Sequence, residues 1–336
     1  MKIDWRGVLG FVLSAALLWW ALRDVDLREV ARALEGSNIP VFLLATVVCT
    51  LIFPLRALRW RTILAPVASD VALGPLWRAT SIGMMANNVL PARAGELARA
   101  FALTREVPNV PFATVLASLA VDRVFDAVVL LLLTFAPLLD PAFPRHSASG
   151  LPLDAIAKAG IVGVIGLLGI LYALVFFPTR LIELFELATR KVAPSIERRG
   201  ADALAAFAEG LGVLRHPGRF AAVFMWTVLH WIVQTLSIWI GFRAMRIDVP
   251  ASASLLLNGI SSFASVLPAA PGFFGQFELA SKISLRVYGV PDTQSVSWAL
   301  GYHILTFIPI TIIGAIYAVR IGFSLRDFGR RQEAEA

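Results

Sequence analysis

A chain of 336 residues with 58% hydrophobic and 16% charged residues and a mean hydropathy of +0.75 is too apolar for a soluble domain, in which roughly a quarter of residues are charged. Its apolar runs are too long and continuous for the alternating strands of an outer-membrane barrel, so the fold class is an all-α polytopic membrane protein. The formal charge of +7 does not point to nucleic acid, because the basic residues gather at the ends of apolar runs, where the positive-inside bias and anionic headgroups account for them.

The first span runs from Gly7 to Leu22. Trp19, Trp20 and Arg23 stand where a signal cleavage site would need small residues, so the span is expected to stay uncleaved. A mixed-charge segment with Leu27, Val30, Ala31 and Leu34 at helical spacing follows, suited to the membrane surface. A second span begins at Ile39 and ends in LRALRWRTIL, where Arg56, Arg59 and Arg61 mark a cytoplasmic end.

Leu76 to Leu90 is a helix of about fifteen residues, or about 22 Å, against a hydrocarbon core of about 30 Å. Asn87, Asn88 and Pro91 lie at its deep end. Freed backbone there is tolerable only against protein or water, so the segment is expected to be re-entrant and to turn back at Pro91. A polar helix with Arg99 and Arg105 leads to a third span, Phe112–Leu139. A fourth, Ala155–Phe177, precedes a basic segment, Thr179–Arg219, and a fifth runs from Phe220 to Phe242. The stretch from Ser252 to Leu285, broken at Pro268 and Pro271, is expected to form a second interrupted hairpin. A last span, Ser297–Val319, ends in a basic tail, with residues 331–336 polar. Six full crossings put both termini and every basic loop in the cytoplasm.

Each half reads span, span, broken hairpin, span. NNVLPARAGEL and ASVLPAAPGFFGQFEL share Val-Leu-Pro-Ala, then Gly and Glu-Leu. Two copies, about 5–140 and 154–322 within a single domain of residues 1–330, entered from opposite sides, are the pattern of an inverted-topology repeat, which sets substrate at the tips of broken helices.

Four charged or polar sets carry the candidate chemistry. Arg93, Glu96 and Arg99 recur at i, i+3 and i+6; they suit either a solvated surface stripe or a headgroup site in which guanidinium forks meet a phosphate. Asp122, Arg123 and Asp126 of DRVFD stand about ten residues into an apolar span. Three such groups need partners or water there, as cavity lining or as an ion-pair lock. The hairpin tips offer Asn87, Asn88, Pro91, Pro268, Pro271, Gly272, Gly275 and the lone acid Glu278. Asn258, Ser261, Ser262 and Ser265 fit a polar path or small-residue packing. Cys49 sits alone in an apolar run, and the four histidines, His146, His216, His230 and His303, lack ligand spacing, so no metal and no cofactor are expected. No nucleophile elbow, phosphate loop or nucleotide fingerprint is present, which points away from an enzyme.

Taken together, RALRW, NNVLPARAGELARAFAL, DRVFD and VLPAAPGFFGQFE resemble the lysylphosphatidylglycerol synthase transmembrane family, also called flippase-like or UPF0104 membrane proteins. The resemblance implies a module that moves a phospholipid between leaflets. In two-domain relatives a soluble domain makes the aminoacylated lipid, and this chain, ending at Ala336, is expected to translocate without aminoacylating. By position it implies roles for Arg93, Glu96, Arg99, Asp122, Arg123, Asp126, Gly272 and Glu278. The expectation is a bacterial inner-membrane protein whose partner is an anionic or lipid-linked lipid. A membrane transferase of lipid or glycan assembly, and a docking partner of a lipid-synthesis enzyme through the basic segment, are the alternatives.

Overall fold

The computed structural model describes residues 5–23, 25–90, 94–144, 216–265 and 271–323, with isolated positions between 162 and 187. Among these, every regular element is helical: α1 (Trp5–Leu22), α2 (Leu27–Glu35), α3 (Ile39–Thr50), α4 (Ile52–Leu64), α5 (Leu73–Val89), α6 (Gly95–Glu106), α7 (Phe112–Phe135), α8 (Pro217–Ala244), α9 (Ala251–Ala264), α10 (Gln276–Val287) and α11 (Asp292–Arg320). The fourth expected span and most of the basic segment lie outside the described residues, as do Pro91, Arg93, Pro268 and the tail 331–336.

Local chemistry sets the helix ends. Asp26 caps α2 by accepting the Arg28 N–H at 2.8 Å, and Asn38 caps α3 through the Val41 N–H at 3.2 Å. The break between α3 and α4 at Leu51 precedes Pro54, which has no N–H to offer the Thr50 carbonyl. The two helices still form one apolar stretch of 26 residues, Ile39–Leu64.

This stretch, α8 with 28 residues and α11 with 29 are long and apolar enough to cross a membrane. Their outward faces agree. Met225, Leu229, Ile232 and Leu236 on α8, and Ile304, Ile308, Ile312 and Ile316 on α11, are exposed at helical spacing. Such unbroken apolar stripes have no place against water and suit lipid. The 24-residue α7 is long enough, but it carries Asp122, Arg123 and Asp126.

Two helical hairpins, α5–α6 and α9–α10, sit among these helices, and their packing is reciprocal. The first lies on α4 and α7, the second on α8 and α11; α5 also crosses to α11 and α9 to α7. Against α3 and α4 lies α8 itself. The two largest buried clusters among the described residues lie around Trp60, Leu76, Ile82 and Leu103 and around Phe42, Phe242, Leu257 and Trp298.

At the base of the first hairpin Arg78 pairs with Glu106, its Nε donating to both carboxylate oxygens at 2.8 and 3.0 Å. The pair is partly exposed, so Arg78→Gln should lower stability by no more than about 1 kcal/mol, and high salt should shrink the difference. Thermal unfolding of both proteins at low and high salt checks this.

Candidate functional site

The site starts from α7. Asp122 and Asp126 are one helical turn apart, so both carboxylates face inward, and each is buried. Facing them is Arg59 of α4, fully buried, its Nε 2.7 Å from Asp122 Oδ1 and its Nη1 2.6 Å from Asp126 Oδ1. Two groups of α8 complete the contact: Thr227 Oγ1 accepts from Arg59 at 3.2 Å, and Trp231 Nε1 donates to Asp126 at 3.2 Å. Elements from both halves of the chain therefore meet at one guanidinium.

From α6, Arg99 reaches Asp122 Oδ2 at 3.2 Å and Glu96 at 3.8 Å, with its guanidinium 4.0 Å from the ring centroid of Trp60. Trp60 is held in turn, its Nε1 donating to Ser118 Oγ at 2.9 Å. Arg123, 45% exposed, closes the outer side through Glu96, Asp122 and Asp126 at 3.2 to 3.3 Å. Three arginines, Arg59, Arg99 and Arg123, thus balance three carboxylates, Glu96, Asp122 and Asp126. The cluster is net neutral, which lets it persist in a low-dielectric setting.

Beside it opens a small cleft between α4, α5 and α6, lined by Arg56, Thr80, Asn87, Glu96 and Arg99 among others. Asn87 also ties the hairpin together, its Oδ1 accepting the Gly95 N–H at 2.9 Å. Several donors here are unmet. Among the described residues Arg56 reaches only the Met84 sulfur, at 3.6 Å, and its Nε is buried with no hydrogen-bond partner there, as are Nε and Nη2 of Arg99 and Oγ1 of Thr80. Among the described residues Arg56 has no carboxylate within ion-pair range, so it stands as a cation in excess of the balanced cluster.

The structure therefore brings together Glu96, Arg99, Asp122, Arg123 and Asp126. Asn87 and Gly95 join them at the cleft, while Asn88 points elsewhere and donates to Thr311 Oγ1 of α11 at 2.7 Å. The second hairpin tip is separate. Pro271 and Gly272 lie in a short 3-10 turn, and Gly272 and Gly275 have φ of 74° and 86°, values that favour glycine. Glu278 accepts the Gly275 N–H at 2.6 Å and pairs with His303 of α11 at 2.7 Å. In α9 the amide of Asn258 donates to Thr235 Oγ1 at 2.9 Å, while Ser261 and Ser265 bond to carbonyls of their own helix, as packing serines do.

One placement is corrected. Arg56 and Arg59, expected with Arg61 as markers of a cytoplasmic helix end, turn inward, and only Arg61 is exposed. Arg56 and Arg59 are three apart and share a face, while Arg61 falls on another, a distinction helical period already makes.

The Lysylphosphatidylglycerol synthase TM region family model matches residues 7–314. Among individual relatives, glycosyltransferase AglD of Haloferax volcanii is 27% identical over 92% of this chain, which spans 53% of that protein's length. A UPF0104 membrane protein of Methanothermobacter thermautotrophicus is 24% identical over 95% of this chain and 93% of its own, and one of Pyrococcus horikoshii is 21% identical over 93% and 95%. No solved structure matches. These sources are archaeal and lend nothing to the bacterial part of the expected location. The expectation that the chain is not an enzyme is also corrected: a relative matching nearly its whole length is named a glycosyltransferase, so lack of a familiar motif does not set it outside an enzymatic family.

Proposed function

This chain belongs to the lysylphosphatidylglycerol synthase transmembrane family, and from that premise we propose that it binds an anionic phospholipid or lipid-linked intermediate by its headgroup and carries it between leaflets. The observation that carries this reading is the cleft between α4, α5 and α6, where one cation exceeds the available carboxylates and buried guanidinium donors have no partner. A phosphate oxygen entering there meets Arg56, Arg99 and Thr80. Guanidinium forks suit it better than any neutral headgroup.

Release is built into the same site. Arg99 is shared between the cleft and Asp122, so at that guanidinium a phosphate competes with a carboxylate. Glu96 re-pairs with Arg99 and Arg123 as the headgroup leaves. The reciprocal packing of the two hairpins supports an inverted repeat in which each broken hairpin serves one leaflet, the first re-entrant from the cytoplasm.

Arg56→Ala tests the reading with little risk to the fold, since among the described residues Arg56 has no ion-pair partner to orphan. Loss of a charge-assisted contact of about 1.5–3 kcal/mol should reduce retained anionic lipid by about tenfold to a hundredfold. Mass spectrometry of lipids kept through gentle purification, wild type against variant, reads the effect. Equal retention of the same species by both would refute the headgroup site.

A second reading is favoured by the name of the Haloferax relative: transfer of a sugar from or to a lipid-linked intermediate held at the same cleft. Turnover of a lipid-linked sugar by the purified protein would select it. Movement of the intact lipid between leaflets without turnover would select translocation.

A further inference from the structure

We propose that Trp60 is a positioning residue of the cleft: it holds the guanidinium plane of Arg99 so that one intact two-donor edge of that group faces an incoming phosphate. The role assigned to Trp60 rests on the headgroup reading above and adds to it what aims the cation.

An arginine presents two adjacent N–H groups along its Nε–Nη2 edge, a fork whose spacing matches two oxygens of one oxyanion. This protein turns that edge to carboxylates twice, from Arg78 to Glu106 and from Arg286 to Asp292. Arg99 differs. Its bond to Asp122 at 3.2 Å and its contact with Glu96 at 3.8 Å both run through Nη1, while Nε and Nη2 are buried with no hydrogen-bond partner among the described residues. The side chain lines the cleft. The Nε–Nη2 edge is therefore what Arg99 has left to offer a ligand, and the two unesterified oxygens of a phosphodiester fit it.

Such an edge selects an oxyanion only if its plane is held, and contacts at Nη1 alone leave the group free to tilt. Trp60 removes that freedom. The Arg99 guanidinium sits over its ring, 4.0 Å from the centroid, and a flat cation gains most from a ring face by lying along it. The ring is locked in turn. Trp60 is fully buried, its Nε1 donates to Ser118 Oγ at 2.9 Å, and Ser118 Oγ donates onward to the Val115 carbonyl at 2.6 Å. With its proton committed to Val115, the Ser118 hydroxyl has only lone pairs to turn to the indole, so α7 fixes the ring as it fixes Asp122. Trp60 also stands one turn beyond Arg56 on α4. One face of one helix thus supplies both the surplus cation and the platform that aims the second. A leucine would fill much of the same space, but it has no ring face to keep the guanidinium from tilting.

A double-mutant cycle on the binding of phosphatidylglycerol to the purified whole chain in detergent, read by native mass spectrometry, tests the proposal. Trp60→Leu and Arg99→Lys both keep every charge of the site. Each should weaken binding at least fivefold, the first by freeing the fork and the second by removing it. In the double variant the Trp60 change should cost nothing further, because Trp60 acts through the fork. Trp60→Phe keeps a ring face, lacks the bond to Ser118 and disturbs the core less. It should weaken binding about twofold, again with no added loss beside Arg99→Lys, and it decides the question if Trp60→Leu does not fold. Losses that multiply in the double variants would mean that Trp60 acts by packing alone and would overturn the proposal. So would wild-type binding by either Trp60 variant while Arg56→Ala loses the lipid. A wild type that does not bind, or an Arg56→Ala variant that binds as well as wild type, would remove the headgroup site itself and the proposal with it.

Discussion

Arg59→Leu should be the most damaging single substitution near the cleft, lowering stability by about 3–5 kcal/mol, a large fraction of a typical total. The change removes the guanidinium that bridges the inner oxygens of Asp122 and Asp126, and it orphans Thr227 Oγ1 of its donor. Arg99 and Arg123 remain on the outer oxygens, but one buried carboxylate is then in excess of the cations of the cluster. Charge arithmetic predicts the rescue. Arg59→Leu with Asp122→Asn restores neutrality and should recover part of the loss, while Asp122→Asn alone leaves a surplus cation and should itself destabilise. Thermal unfolding of the three variants in detergent measures the cycle. An unchanged melting temperature for Arg59→Leu would mean that the cluster does not hold α4, α7 and α8 together.

That Arg59 is central was not legible in the way Asp122 and Asp126 were. Two aspartates in the middle of an apolar run have no bland location, so composition alone marks them. An arginine near the end of a span does have one, the cytoplasmic surface, and RALRWR offers three at once. Only the three-residue spacing of Arg56 and Arg59 distinguishes the pair that turns inward from Arg61. Arg56 and Arg59 then differ in what they meet, a cleft and two carboxylates, and that depends on which helices pack beside α4. The same limit hid His303. A single histidine in a 29-residue apolar helix carries no signal until the hairpin brings Glu278, 25 positions earlier, to 2.7 Å. Proline, glycine and asparagine in short apolar segments marked where the helix is interrupted, and the packed helix pairs α5–α6 and α9–α10 flank those interruptions. What spacing could not show is how closely the two arms of the first hairpin approach, since that distance is set by two glycines twelve positions apart.

Gly95→Ala should split that hairpin. A Cβ at Gly95 would lie 2.3 Å from both Asn87 Cγ and the Gly83 carbonyl oxygen, and the second of these is backbone that cannot rotate away. The arms must separate, at a cost of about 3 kcal/mol, the upper range for overpacking. In an open helix the same change would stabilise by up to about 1 kcal/mol, so the sign of the effect is itself diagnostic. Separation also breaks the hydrogen bond from the Gly95 N–H to Asn87 and draws Arg99, one turn further along α6, away from Trp60 and Asp122; retained anionic lipid should fall along with stability. Gly83 lies on the same seam, where a Cβ would be 2.7 Å from the Gly95 carbonyl oxygen and 2.8 Å from Arg99 Cβ. Once one alanine has forced the arms apart, the second meets less resistance. The double variant Gly83→Ala/Gly95→Ala should therefore lose clearly less than the sum of the single losses, a shortfall that unfolding measurements on the four proteins would show. Strictly additive losses would mean that the two glycines act at independent places, and the close seam would not be what shapes the cleft.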